Sequence, residues 1–142
     1  MKNVLNAETF DFVLTNELKR ARRSQNFVTL VLMEPHSREP AGAVGEIARL
    51  VSAELRETDL LATDGTRVSL VLLDADLQDS TRVIERVMTR LGPYQFTAPV
   101  EIDVGVACCP THGADLDTLK RVAAAARTTL PRQTPPGTAH PR

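Results

Sequence analysis

The dipeptide Asp64-Gly65 sits between two short apolar runs, Leu60-Leu61-Ala62 and Val68 to Leu73, and constrains this chain more than any other feature. Asp-Gly between apolar runs signals a tight hairpin, because both turn positions of such a turn favour positive φ. A hairpin makes its two strands antiparallel neighbours. Other apolar segments flank it on each side with different periods. Phe27 to Met33 is a continuous apolar run of strand type, stopped by Glu34-Pro35-His36-Ser37. Val100, Ile102, Val104 and Val106 alternate with Glu101, Asp103 and Gly105, the pattern of a half-buried strand.

Helical periodicity fills the gaps. Thr9 is placed to cap a helix reaching Ser24, with Phe10, Val13, Leu14, Leu18 and Ala21 on its apolar face. A second helix is expected over about Ala43–Arg56, with Val44, Ile47, Ala48, Val51 and Leu55 inward. Asp76 reads as the cap of a third, ending near Leu91 before Gly92-Pro93, with Leu77, Ile84, Val87, Met88 and Leu91 as its core face. A fourth is expected over about Asp115–Leu130, burying Leu116, Leu119, Val122, Ala123 and Ala126. The order α-β-α-β-β-α-β-α contains a βαββαβ core. The expected fold is therefore α+β and ferredoxin-like, with both crossover helices on one face of an antiparallel sheet and a leading and a trailing helix added. The chain divides into a leading helix (1–25), a single domain (26–130) and a flexible tail (131–142) that carries Pro131, Pro135, Pro136 and Pro141 without apolar periodicity.

Composition excludes several function classes. Seventeen basic residues stand against 18 acidic, a net charge of −1, which argues against bulk electrostatic binding of nucleic acid or an anionic membrane. Four Phe, one Tyr and no Trp leave little for a base-stacking platform. No apolar run spans a bilayer and the N-terminus lacks a signal-peptide core, so a cytoplasmic location is expected. Lys19-Arg20-Ala21-Arg22-Arg23 reads as cations suited to a helix C-terminus. Cys108 and Cys109 are adjacent and read as reduced core residues. His36 and His112 fall in separate loops without a second ligand at metal spacing, and His140 lies in the tail. Cys108 with His112 makes a poor nucleophile pair, since a thiol in a core strand is inert. Ser69 has no G-x-S-x-G context.

Leu55-Arg56-Glu57-Thr58-Asp59, five residues, then Gly65-Thr66-Arg67-Val68-Ser69 resembles the signature hairpin of GGDEF domains, the diguanylate cyclases. Ile84-Glu85-Arg86-Val87 resembles the A-E-R-I stretch of that family's following helix. Val104-Gly105-Val106-Ala107, with Pro110 after it, resembles its S-x-G-v-a strand. The likeness covers roughly 27–130. It implies the departures too. The five signature positions fall on Gly65, Thr66, Arg67, Val68 and Ser69, so both metal-holding carboxylates are missing. Glu34 alone falls near the family's first metal Asp. Nothing between Pro35 and Gly45 resembles its base-recognising segment, and Ala123 to Pro131 has no phosphate-binding Lys. The resemblance therefore implies a degenerate, non-catalytic domain with no cofactor and no metal.

The same resemblance implies what is retained. Arg56 and Asp59 match the R-x-x-D of the family's inhibitory site for cyclic di-GMP, and Arg86 falls where a further Arg often joins it. Guanine O6 and N7 suit an arginine fork, its N1–H and N2–H₂ suit a carboxylate, and the two phosphates suit arginine. Against this stands a local Arg56–Asp59 ion pair of small value, with Arg86 paired on an exposed helix face. The expected function is a cyclic di-GMP effector acting through a signalling partner, with a homodimer possible. The alternatives are a ligand-free interaction scaffold and, last, an enzyme that still uses GTP. In the family a leading helix commonly follows a sensor. Here eight residues precede Thr9, so the chain is expected to stand alone or to be a portion of a longer one.

Overall fold

The computed structural model describes residues 4–125 and 127–130. The elements run α1 (Ala7–Ser24), β1 (Val28–His36), α2 (Pro40–Ser52), β2 (Leu60–Thr63), β3 (Val68–Leu73), α3 (Leu77–Leu91), β4 (Glu101–Cys109), α4 (Leu116–Ala125) and β5 (Arg127–Leu130). The five strands form one sheet in the order β2-β3-β1-β4-β5, every neighbouring pair antiparallel. This is the expected α+β βαββαβ core with one strand added at the β4 edge.

Strand alternation sends side chains to two cores. Val31, Met33, Leu61, Leu70, Leu72, Ile102 and Val104 pack with Ile47 and Val51 of α2 and Val87 and Leu91 of α3. Val28, Leu30, Leu32, Val71 and Cys109 pack with Leu14 and Leu18 of α1 and Leu119 of α4. Both crossover helices thus share one face, as expected. The leading helix is part of the second core, with Phe10, Leu14, Leu18 and Ala21 buried. Burial of each large one is worth roughly 2 kcal/mol. Gly105 permits the close approach of α4, because a Cβ there would fall 1.7 Å from the Ala123 carbonyl oxygen.

Several boundaries differ from the sequence expectation, each for a local reason. Asn6, not Thr9, caps α1: its Oδ1 accepts the Thr9 backbone N–H at 2.8 Å. Strand β1 starts one residue after Phe27 and continues through Glu34 and Pro35 to His36. Beyond Met33 it has β4 alone as partner, so Pro35 lies in an edge segment where a missing N–H is tolerated. Helix α2 opens on Pro40, whose fixed φ suits a first turn, and stops at Ser52, four residues short of Arg56. Leu77 is exposed rather than part of the α3 core face. The expected fourth helix ends at Ala125, and Arg127–Leu130 is strand. Thr128 and Thr129 are β-branched and suit the pleated edge of β4 better than a helix. Ala126 and the 131–142 tail lie outside the described residues. Among the described residues no helix is long and apolar enough to cross a membrane.

Candidate functional site

The α2–β2 turn places Arg56 and Asp59 side by side. Asp59 is 2% exposed. Its Oδ2 accepts the Arg56 backbone N–H at 2.9 Å, and its Oδ1 accepts the Leu73 backbone N–H at 3.2 Å. The Asp59 carboxylate therefore pins the turn to the end of β3. The Arg56 guanidinium closes the corner, donating from Nη2 to the Leu73 carbonyl at 2.6 Å and to Asp59 Oδ1 at 3.4 Å. The Arg56 side chain remains 57% exposed. The structure thus brings the two residues together but turns Asp59 inward. In this structure the Asp59 oxygens are taken up by the Arg56 and Leu73 N–H groups and by the Arg56 guanidinium, not turned to solvent.

Arg86 does not join that pair. It lies on the outer face of α3, where Nε meets Glu54 Oε1 at 3.4 Å and Nη2 donates to the Glu54 carbonyl at 3.4 Å. Arg90 meets the other Glu54 oxygen at 3.3 Å. Glu54, Arg82, Glu85, Arg86 and Thr89 line an open groove of about 530 Å³. Glu54 links the two halves of the expected site, since it precedes Arg56 by two residues on the same turn. Sequence reasoning missed it, although an acid two positions before the R-x-x-D arginine was visible.

The signature hairpin has turned its polar groups on itself. Only Gly65 of the expected two-residue turn has positive φ, +90°. The tip is shifted by one residue: Thr63 pairs with Val68 and the Asp64 N–H bonds to the Arg67 carbonyl, which leaves Gly65 and Thr66 at the turn. Asp64 Oδ1 accepts the Thr66 N–H at 2.9 Å, the Thr66 hydroxyl at 2.8 Å and the Arg67 N–H at 3.0 Å. Partial burial pushes the Asp64 carboxyl upward, but the hydrogen bonds from Thr66 and Arg67 outweigh it and hold it below the usual range. Arg67 pairs with Asp64 at 3.7 Å, Val68 is fully buried, and Ser69 pairs with Leu32 in the sheet.

Across the sheet a second polar cluster forms. His36 is on β1, not in a loop, and its Nε2 lies 2.8 Å from Asp103 Oδ2. Glu34, His36 and Asp103 bring one ligand atom each within 4.8 Å of one another. Alternation along β1 was the available signal, since residues 34 and 36 share a face. Arg127 enters the same cluster, 2.7 Å from Glu34 and 3.4 Å from Asp103. Hydrogen bonds from Thr129 and His36 hold the Asp103 carboxyl below its usual range. The Mg²⁺ that the resemblance implies is bound through one or two carboxylates together with substrate phosphates. Glu34 is engaged by a guanidinium and the hairpin offers Arg67 and Val68, so these residues do not fit that metal.

The remaining sequence candidates are structural. His112 Nδ1 accepts the Cys108 N–H at 2.9 Å, closing the turn after β4. Cys108 and Cys109 are buried free thiols, and burial together with Cys108 raises the Cys109 thiol. A further recess of about 270 Å³ opens at the start of α2. There Tyr94 donates to Glu46 at 3.1 Å and accepts from Arg49 at 2.7 Å. Its residues come from separate segments, so no local motif announced it.

A scan against protein-family models finds no match, and no curated protein matches the sequence. Solved structures do match. The GGDEF domain of YfiN (TpbB) from Pseudomonas aeruginosa superimposes with a TM-score of 0.77 at 19% identity, covering 89% of this chain and 89% of that one. A DGC protein from Thermotoga maritima gives 0.79 at 15% identity, covering 89% and 98%. The diguanylate cyclase SiaD from Pseudomonas aeruginosa, solved with its activator SiaC, gives 0.68 at 24% identity, covering 87% of this chain and 53% of that one. At these identities the likeness establishes architecture. Together with the strand order and the two helical layers described above, it gives this chain the fold of GGDEF diguanylate cyclase domains.

Proposed function

We propose that this is a signalling domain of the GGDEF fold without cyclase chemistry, and that it binds cyclic di-GMP through the outward guanidinium groups of Arg56 and Arg86. The observation that carries the reading is an exposed Arg56 guanidinium braced from behind by buried Asp59; Arg86, with Arg82, Glu54, Glu85 and Thr89, lines an open groove on α3. A guanidinium fork matches both phosphate oxygens and the O6/N7 edge of guanine. Asp59 serves by holding Arg56, whose own side-chain freedom would otherwise weaken binding. The loss of catalysis rests on Arg67 and Val68 standing at the acidic positions and on Glu34 being held by Arg127. Signal output passes to a protein partner, as an effector requires. A fold alone does not fix function, so the site carries this argument.

Calorimetric titration of cyclic di-GMP tests it. Wild type is expected to bind, with binding weakened at least tenfold by Arg56→Ala and by Arg86→Ala. GTP with Mg²⁺ or Mn²⁺ is expected to give no cyclic di-GMP. Absence of heat at high micromolar ligand, or turnover of GTP, overturns the proposal. Two observations favour a second reading, a ligand-free interaction scaffold: the Asp59 carboxylate is satisfied within the fold, and Arg86 already has Glu54. A partner retained equally by wild type and Arg56→Ala, with no nucleotide dependence, would favour that scaffold.

A further inference from the structure

Arg82, Arg86 and Arg90 recur every four residues on α3, which stacks them in one column on its surface. Like charges at that spacing repel one another unless something offsets them. Glu54 does so for two of the three, one oxygen to Arg86 at 3.4 Å and the other to Arg90 at 3.3 Å. Its side chain is 17% exposed, while those of Arg86 and Arg90 are 55% and 49% exposed. The carboxylate is tucked beneath guanidinium groups that face solvent. Both separations exceed the 2.7–2.9 Å typical of a tight charge-assisted bond. Among the described residues Arg82 has no hydrogen-bond or ion-pair partner, and it lines the same groove.

A carboxylate and a phosphate present the same bidentate oxygens to a guanidinium. We infer that Glu54 is a built-in competitor for the anionic ligand, holding Arg86 and Arg90 until a phosphate group displaces it. The inference rests on the cyclic di-GMP reading above and adds a residue that sets its affinity. Displacement frees the α2–β2 turn at Glu54, two residues from Arg56, so ligand entry at α3 is coupled to the corner that holds Arg56. The affinity of the domain is reduced by the fraction of time Glu54 occupies the arginines.

Titrating cyclic di-GMP into wild type, Glu54→Gln and Asp79→Asn separates the possibilities. Gln keeps the shape of Glu54 and removes its charge. Loss of two partly exposed ion pairs should tighten binding roughly three- to tenfold. Asp79 is exposed on α3 and lies outside the groove, so its variant reports bulk charge alone and should change binding less than twofold. Tightening confined to Glu54→Gln, beside a wild type that binds, supports the inference. Equal tightening in both variants overturns it, as does unchanged affinity in Glu54→Gln beside a wild type that binds. That last result leaves the cyclic di-GMP reading intact, whereas no binding by any of the three proteins overturns both.

Discussion

Two aspartates bracket strand β2 and do the same job under different conditions. Asp59 precedes the strand and Asp64 follows it. Each carboxylate gathers backbone N–H groups from a turn: Asp59 takes those of Arg56 and Leu73, and Asp64 those of Thr66 and Arg67. The Asp59 side chain is 1% exposed and the Asp64 side chain 34% exposed. Water can replace Asp64 as an acceptor, whereas the Leu73 N–H that Asp59 accepts is buried. The hairpin end of β2 is closed on itself, whereas at the other end the Arg56 guanidinium, beside the buried aspartate, faces outward.

The sharpest way to break this contrast is Asp59→Ala. The buried Leu73 N–H and the part-buried Arg56 N–H would lose their acceptor, at a cost of about 2 to 3 kcal/mol, read as a lower denaturant midpoint with an unchanged slope. A loss no larger than that of the hairpin variant would remove the distinction. Asp64→Ala should cost about 1 kcal/mol, as removal of a solvent-accessible turn acceptor does. The same aspartate gives the contrast a pH dependence. Asp64 and Asp103 are both held below the ordinary value of 3.8 in the folded state. Their contribution to stability is present above that value and lost as pH falls through the depressed values, so unfolding should ease below about pH 4. Asp64→Ala should flatten part of that acid limb in a thermal scan series. Arg56→Ala should have the smallest effect on stability, under about 1 kcal/mol, because its guanidinium is more than half exposed. Its effect should appear in ligand binding instead.

The fold was legible because its strongest signals were redundant. The Asp64-Gly65 hairpin, the alternation from Val100 to Val106 and the Asp76 cap each specify an element, and together they yield the antiparallel order. Boundaries were less legible where a polar group competed locally. Asn6 took the cap from Thr9, and Asp59 held the Arg56 N–H out of the helix that apolar spacing alone would have extended. The end of α4 was misread because alanines propagate a helix on paper, while Thr128 and Thr129 find partners only across β4. The site was legible as residue types and not as orientation. The R-x-x-D spacing does place Arg56 beside Asp59, but whether a carboxylate faces solvent or backbone depends on the end of β3, 14 residues away. The partnership of Arg86 with Glu54 spans 32 residues and leaves no local pattern.

The proposal under test is that cyclic di-GMP is recognised by the arginines of the α2–β2 turn and α3 rather than by the hairpin. A ¹H–¹⁵N correlation titration with cyclic di-GMP tests it residue by residue. The account predicts shifts concentrated in residues 54–59 and 82–90, with 64–69 unmoved. Shifts gathered on the hairpin, or a spectrum that does not change at saturating ligand, would contradict it.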